Sequence, residues 1–189
     1  MDNVTIYTDG SCHGNPGAGG YAAVALCNGI TREVHGSDWY TTNNRMELMA
    51  VIEGLRLLSS PSRVKIVTDS KYVANQINRG NLRAYVNTPG RKNADLWQLI
   101  LQFSVIHELT AEWVRGHSGN KLNQRCDSLA NMEASRVEQE KEIRMDTFSE
   151  LLKDNTLTVK EIADRYHHPL QTVRKYHTQF FSRKPGGAL

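Results

Sequence analysis

Five side chains in this sequence are of types that can carry out chemistry together: the carboxylates Asp9, Glu47, Asp69 and Asp127, and the imidazole of His117. The hydrophobic pattern places Asp9 at the end of the first strand and Glu47 in the first two turns of the first helix. It places Asp69 at the end of a short strand and Asp127 near the start of a later helix. Acidic residues at strand ends and helix starts are drawn to one edge of an α/β sheet, where such folds build their sites. Four carboxylates converging there repel one another unless cations intervene. Oxygen-rich donor sets of this kind suit Mg2+, with Mn2+ as a substitute. Two such ions about 4 Å apart can activate a water and stabilise the leaving oxygen in phosphodiester cleavage, with no covalent nucleophile. Taken singly, each carboxylate reads more simply as a capping or surface charge, and Thr68-Asp69-Ser70 alone is a common turn.

The elements that must position these groups follow from periodicity. Alternation over residues 4–8 predicts a strand ending at Asp9, and the Gly-rich stretch 11–20 with Pro16 predicts a loop. Residues 21–27 and 31–39 read as two more strands joined at Asn28-Gly29, giving an antiparallel meander. Thr42 or Asn43 can cap a helix that runs to about residue 58, with Met46, Met49, Ala50, Ile52 and Leu55 at helical spacing. A strand over 64–67, a helix over 70–77, a polar loop over 80–93 and a helix over 94–103 follow. Then come a strand over 109–114, a polar loop over 115–122 and a helix over 123–134. The order β-β-β-α-β-α-α-β-α predicts an α/β fold, a mixed sheet flanked by helices.

Composition limits the function classes. The chain has 189 residues, 39% hydrophobic and 23% charged, which is the balance of a folded globular protein. No apolar run approaches the ~18 residues of a membrane helix, and the N-terminus lacks the pattern of a signal peptide, so a cytoplasmic location is expected. Three cysteines with no C-x-x-C pair argue against a disulfide framework or a zinc site. A net charge of +3 permits nucleic-acid binding without demonstrating it.

The motifs around the carboxylates are more specific. Thr8-Asp9-Gly10-Ser11-Cys12-His13-Gly14-Asn15-Pro16-Gly17 resembles the opening motif of the bacterial-type ribonuclease HI family. Thr42-Asn43-Asn44-Arg45-Met46-Glu47-Leu48 and Thr68-Asp69-Ser70-Lys71-Tyr72-Val73 resemble its next two. Trp113-Val114-Arg115-Gly116-His117-Ser118-Gly119, followed by Asn123 and Arg125-Cys126-Asp127, resembles the last two, in family order over about residues 3–135. The resemblance implies a five-stranded mixed sheet and an endonuclease that cuts the RNA strand of RNA–DNA hybrids, leaving 5′-phosphate and 3′-hydroxyl ends. It implies Asp9, Glu47, Asp69 and Asp127 as ligands of two ions, with Asp9 shared, and His117 as an aid to proton transfer or product release. Cys12, Gly14, Asn15, Asn43 and Asn44 would contact the two strands, which differ at each sugar by the 2′-hydroxyl. The basic protrusion that the family often carries is short here: residues 77–93 hold Arg79, Arg83, Arg91 and Lys92, with Tyr85 as the one aromatic.

Beyond this catalytic domain, expected over 1–135, residues 136–154 read as a charged linker or helix. Residues 155–184 then resemble a helix-turn-helix unit, with Thr158 and Glu161 as a capping box and a basic second helix over 170–180. Thr172, Arg174 and Lys175 would contact duplex DNA, although His167 stands at the turn where glycine is usual. A small helical hairpin packed on the core or on a partner is the plainer reading. Residues 185–189 read as a flexible tail, and the protein is expected to be a monomer. Two other functions share this fold class: a DNA-binding regulator using it as a scaffold, and a different nuclease such as an integrase or resolvase.

Overall fold

The computed structural model describes residues 1–116, 119–153, 158–165 and 174. They fall into two compact units, Met1–Gln139 and Glu140–Leu189.

The first unit is built on strands β1 (Asp2–Gly14), β2 (Gly17–Cys27), β3 (Ile30–Thr41), β4 (Ser62–Thr68) and β5 (Glu108–Trp113). They form one sheet in the order β3-β2-β1-β4-β5. The first three make the expected antiparallel meander, and β4 and β5 add in parallel. Helix α1 (Asn43–Arg56) makes the crossover from β3 to β4. Helices α2 (Lys71–Asn78), α3 (Leu82–Val86) and α4 (Ala94–Ile106) connect β4 to β5, and α5 (Lys121–Lys153) follows β5.

Period-two alternation decides which face each strand buries. Val4 and Ile6 of β1 join Ala23, Ala25, Val64 and Ile66 beneath Leu48, Val51, Ile52 and Leu55 of α1, with Val73, Trp97 and Ile100 alongside. Ile6, Leu48, Ile52, Leu55, Ile66 and Ile100 are fully enclosed; each such burial stabilises by about 1.5–3 kcal/mol. Trp97 is also enclosed, and its indole N–H donates to the Tyr72 hydroxyl at 2.8 Å, so burial leaves no orphaned donor. The opposite face packs Ala22 and Val24 of β2 against Cys126, Leu129 and Ala130 of α5. Burial pushes the Cys126 thiol up to about 12, so this cysteine behaves as a small apolar side chain.

The largest departure from the sequence reading is the Gly-rich segment. Residues 11–14 and 17–20 are not loop but continue β1 and β2 past Asp9, with Ser11 paired to Gly20 and Cys12 to Gly19. Only Asn15 and Pro16 turn, across a cis peptide bond. The glycines serve close approach. A Cβ on Gly10 would collide with the Glu47 backbone nitrogen of α1, and one on Gly20 with the Ala130 carbonyl of α5. Both helices can therefore lie directly on the strands that carry and flank Asp9.

Smaller corrections have similar causes. The stretch 80–93 holds helix α3, nucleated by Leu82, which is buried, while Tyr85 and Val86 pack against the core. Tyr85 is turned inward onto Trp97, with ring centroids 5.9 Å apart. Helix α4 runs three residues beyond the predicted end, to Ile106, and α5 begins at Lys121 rather than 123 and continues unbroken to Lys153. Thr42 takes the N-cap position of α1, but its side chain makes no capping bond.

In the second unit, α6 (Val159–Arg165) starts with the capping box read from sequence. The Glu161 carboxylate accepts from the Thr158 backbone N–H and hydroxyl, both at 2.7 Å, and the Glu161 N–H donates back to the hydroxyl at 3.3 Å. Of the expected second helix only Arg174 is described, helical and exposed. Thr172 and Lys175 lie outside the described residues, as does the turn at His167. Among the described residues no helix is long and apolar enough to cross a membrane.

Candidate active site

Three elements bring the acidic residues together. Asp9 lies in the middle of β1, the central strand; Asp69 follows the last residue of β4, its parallel neighbour; and Glu47 projects from the second turn of α1. One carboxylate oxygen from each lies within 4.8 Å of the other two. Asp127, from the second turn of α5, lines the same groove, which has a volume of about 570 Å3. Gly10, Ser11, Cys12, Asn43, Ser70 and Asn131 complete its walls.

Local bonds fix these side chains. Asp9 Oδ1 accepts from the Gly10 N–H at 2.8 Å. The amide of Asn43 donates to Glu47 Oε1 at 3.4 Å, while the Asn43 N–H reaches Asn15 Oδ1 at the hairpin tip, also at 3.4 Å. The Trp113 indole N–H donates to the Asp69 carbonyl at 2.8 Å, and the Val114 N–H to the Thr68 carbonyl at 3.0 Å, so the end of β5 braces the end of β4. Ser70 caps α2 behind Asp69, accepting from the Val73 N–H. The Cys12 thiol donates to the Gly14 carbonyl at 2.7 Å, within the turn that Gly14 allows through its φ of +84°.

The electrostatics are those of carboxylates raising one another's proton affinity. Burial raises the Asp9 carboxyl to about 7, with the charges of Asp69 and then Asp127 pushing the same way. Burial likewise lifts Glu47 well above the usual carboxylate range, reinforced by Asp9 and Asp69. Glu47 Oε2 is buried and has no hydrogen-bond partner. A buried carboxylate oxygen left without a donor, on a residue that meets two other carboxylates, is the chemistry of a divalent-cation site. The residues present therefore fit Mg2+ or Mn2+.

Of the residues read from sequence, Asp9, Cys12, Asn43, Glu47, Asp69 and Asp127 line the groove. Gly14 and Asn15 stand at the hairpin tip beside it, and Asn44 is exposed on the first turn of α1. His117 lies outside the described residues. Its neighbour Gly116 passes so close to Asp69 that a Cβ there would come 2.7 Å from Asp69 Oδ2. Four groove residues were given no role in the sequence, Gly10, Ser11, Ser70 and Asn131, and of these only Asn131 lies outside the motifs quoted there. Asn131 follows Asp127 by one helical turn, and that spacing was the available signal.

A mixed sheet with a carboxylate-lined groove beside the ends of its central parallel strands is the arrangement of a metal-dependent nuclease. Comparison with known proteins narrows the class. The model of the family described as RNase H matches residues 1–135. A ribonuclease H of Nitratidesulfovibrio vulgaris is 47% identical over 142 residues, covering 71% of this chain and 91% of that protein. Among solved structures, LC9-RNase H1, a type 1 RNase H with the type 2 active-site motif, superposes with a TM-score of 0.61 at 32% identity. It covers 71% of this chain and 73% of its own. LC11-RNase H1 in complex with RNA/DNA hybrid shares the fold, with a TM-score of 0.57 at 23% identity, over 70% of this chain and 97% of its own. The chain belongs to the RNase H family. It is accordingly a metal-dependent enzyme that hydrolyses the RNA strand of RNA–DNA hybrids.

Proposed function

We propose that hydrolysis takes place in the acidic groove, with Asp9, Glu47, Asp69 and Asp127 holding two Mg2+ ions and Asp9 shared between them. The observation that carries this reading is the meeting of three carboxylate oxygens within 4.8 Å, one carboxylate among them keeping a buried oxygen without a partner. When bound, the ions supply the positive charge that activates water and stabilises the departing oxygen, leaving 5′-phosphate and 3′-hydroxyl ends. The chain's own part is to hold the carboxylates in fixed geometry on a rigid sheet, with Asn43 orienting Glu47 and Trp113 holding the backbone at Asp69. His117, next to the Gly116 that abuts Asp69, serves as the titrating group that moves a proton or frees the product.

The hybrid lies across the groove mouth, contacted by Cys12, Gly14, Asn15, Asn43 and Asn44. These are small polar and backbone groups able to discriminate a 2′-hydroxyl. That LC11-RNase H1 was solved with an RNA/DNA hybrid supports hybrid as the partner of this fold. Residues 155–184 act as a second module that retains the enzyme on duplex DNA through Thr172, Arg174 and Lys175. Residues 1–135 form the catalytic domain, 136–154 the connection and 185–189 a tail. The enzyme works as a cytoplasmic monomer; Cys27 and Cys126, both free thiols, suit a reducing compartment.

End-labelled RNA–DNA hybrid, duplex DNA, duplex RNA and single-stranded RNA, each incubated with Mg2+ or EDTA, test the reading. The enzyme should cut only the RNA of the hybrid and only with metal, and Asp69→Asn should abolish cutting while hybrid binding persists. Cutting by a folded Asp69→Asn protein at the wild-type rate would remove this groove as the site.

A further inference from the structure

The residue that orients Asp127 comes from its own helix. Asn131 Nδ2 donates to Asp127 Oδ1 at 2.8 Å and to the Asp127 carbonyl at 3.0 Å. Its other amide atom, Oδ1, accepts from the Ser11 hydroxyl at 2.7 Å. Ser11 lies on β1, two residues beyond Asp9, and all four residues line the groove. The three bonds settle the amide's orientation: oxygen towards the hydroxyl, nitrogen towards the carboxylate. They form a bridge from the strand that carries Asp9 to the helix that carries Asp127.

This bridge answers a specific difficulty. Asp9, Glu47 and Asp69 are anchored on the sheet or on a helix buried against it, and their oxygens meet within 4.8 Å. Asp127 arrives from a separate helix, is only half-buried, and faces the negative charge of Asp9, whose proton affinity it raises. A half-exposed aspartate facing a like charge is favoured in rotamers that swing it towards solvent, and an ion recruited there must then arrest its motion. A donor fixed at both ends removes that freedom beforehand. A carboxylate oxygen that accepts one N–H still has a lone pair to offer a cation.

We propose that Asn131 is a positioning residue for the metal-dependent reaction: through the Ser11–Asn131–Asp127 bridge it pre-orients Asp127 as a divalent-cation ligand. The inference rests on the reading of Asp127 as a ligand and adds a residue to it. Asn131 neither touches the hybrid nor supplies an oxygen to the metal. It acts through Asp127.

The test compares wild type with Asn131→Ala, Ser11→Ala and Asp127→Asn, all as the full chain. Five quantities are read: Mn2+ binding by calorimetry without substrate, the Mg2+ concentration for half-maximal cutting, the cutting rate at saturating Mg2+, the KM for hybrid, and the melting temperature in EDTA. Asn131→Ala should weaken Mn2+ binding and raise the half-maximal Mg2+ concentration by about three- to tenfold, the span of one hydrogen bond to a charged group in partial solvent. Its rate at saturating Mg2+ and its KM for hybrid should stay near wild type. Because Asn131 is exposed, its melting temperature in EDTA should not move, which separates pre-orientation from loss of fold. Ser11→Ala should show the same pattern, smaller. Unchanged Mn2+ affinity in Asn131→Ala overturns the proposal. So does a raised KM for hybrid at unchanged metal affinity, which would make Asn131 a substrate contact. If Asp127→Asn itself binds Mn2+ and cuts like wild type, the reading of Asp127 as a ligand fails and the proposal fails with it. If Asp127→Asn is impaired and Asn131→Ala is not, only the proposal fails.

Discussion

Asp9 and Glu47 are carboxylates held where water hardly reaches, at 7% and 4% relative exposure. Without cations each is more stable protonated, and the fold bears that cost as pH rises. For Asp9 the folded value is about 7 against an ordinary value of 3.8. The folded state therefore binds the proton more tightly than the unfolded chain. The associated stability is fully present below about pH 4 and is lost as pH rises through about 7. Glu47 shifts in the same direction for the same reasons. In EDTA, the melting temperature should thus fall between pH 5 and pH 8 by an amount worth a few kcal/mol. In Asp9→Asn, which has no such charge, that slope should flatten, and in EDTA at pH 8 the variant should melt above wild type. Saturating Mg2+ should reverse the order by favouring the folded wild type. Calorimetric scans at three pH values, with and without metal, check both signs. An Asp9→Asn slope as steep as that of wild type would show that the burden lies elsewhere.

At the scale of elements, the geometry of the site depends on how closely α1 and α5 approach the hairpin. Gly10 is the tightest point for Glu47, since an added Cβ would occupy the space of the Glu47 backbone nitrogen. Gly10→Ala must push α1 off β1 and carry Glu47 with it. The expected cost is about 1–3 kcal/mol of stability, measurable by urea unfolding. Activity should drop more than stability alone explains, because the carboxylate spacing changes. Gly29→Ala, at a turn with open space around it, should cost stability through its φ of +78° but leave activity intact. Equal activity losses in the two variants would show that the approach of α1 to Gly10 does not set the carboxylate spacing.

The same glycines mark where the sequence stopped being legible. Glu47 and Asp69 were readable because a helix start and a strand end have local signals; Asp9, expected at a strand end, lies in mid-strand because β1 continues to Gly14, and the structure still gathers the three. Gly-rich residues 11–20 carry the composition of a loop. Nothing local says that their missing side chains make room for helices far away in sequence, so the continuation of both strands was not readable. Helix α3 was hidden for a related reason. Its five residues sit among Gly80, Pro89 and Gly90, and what holds it is the tertiary burial of Leu82. Edge protection was equally invisible: Asn78 of α2 accepts from the Ala111 N–H at 2.9 Å and donates to its carbonyl at 2.7 Å, occupying backbone groups of the outermost strand β5.

For the whole molecule, the question is what the residues beyond the RNase H match add. The family match ends at residue 135, but the first compact unit runs to Gln139. The difference matters for any shortened chain. Val137 is buried, and Glu138 Oε2 lies 2.6 Å from His13 Nδ1, beside the hairpin tip that carries Asn15. A cut after Ser135 would remove both side chains and loosen a wall of the groove, confusing loss of the second unit with damage to the first. A cut after Gln139 keeps them. Residues 1–139 should therefore fold, melt within a few degrees of the full chain's first transition, and cut hybrid at a similar kcat. If residues 155–184 retain the enzyme on duplex DNA, the full chain should bind a duplex without hybrid several-fold more tightly than residues 1–139. Its affinity should also fall more steeply with salt, by about one counterion for each phosphate that the second unit neutralises. Fluorescence anisotropy at three salt concentrations reads both quantities. Equal affinities and equal slopes would leave the tether without support and point instead to a role in packing or partner binding.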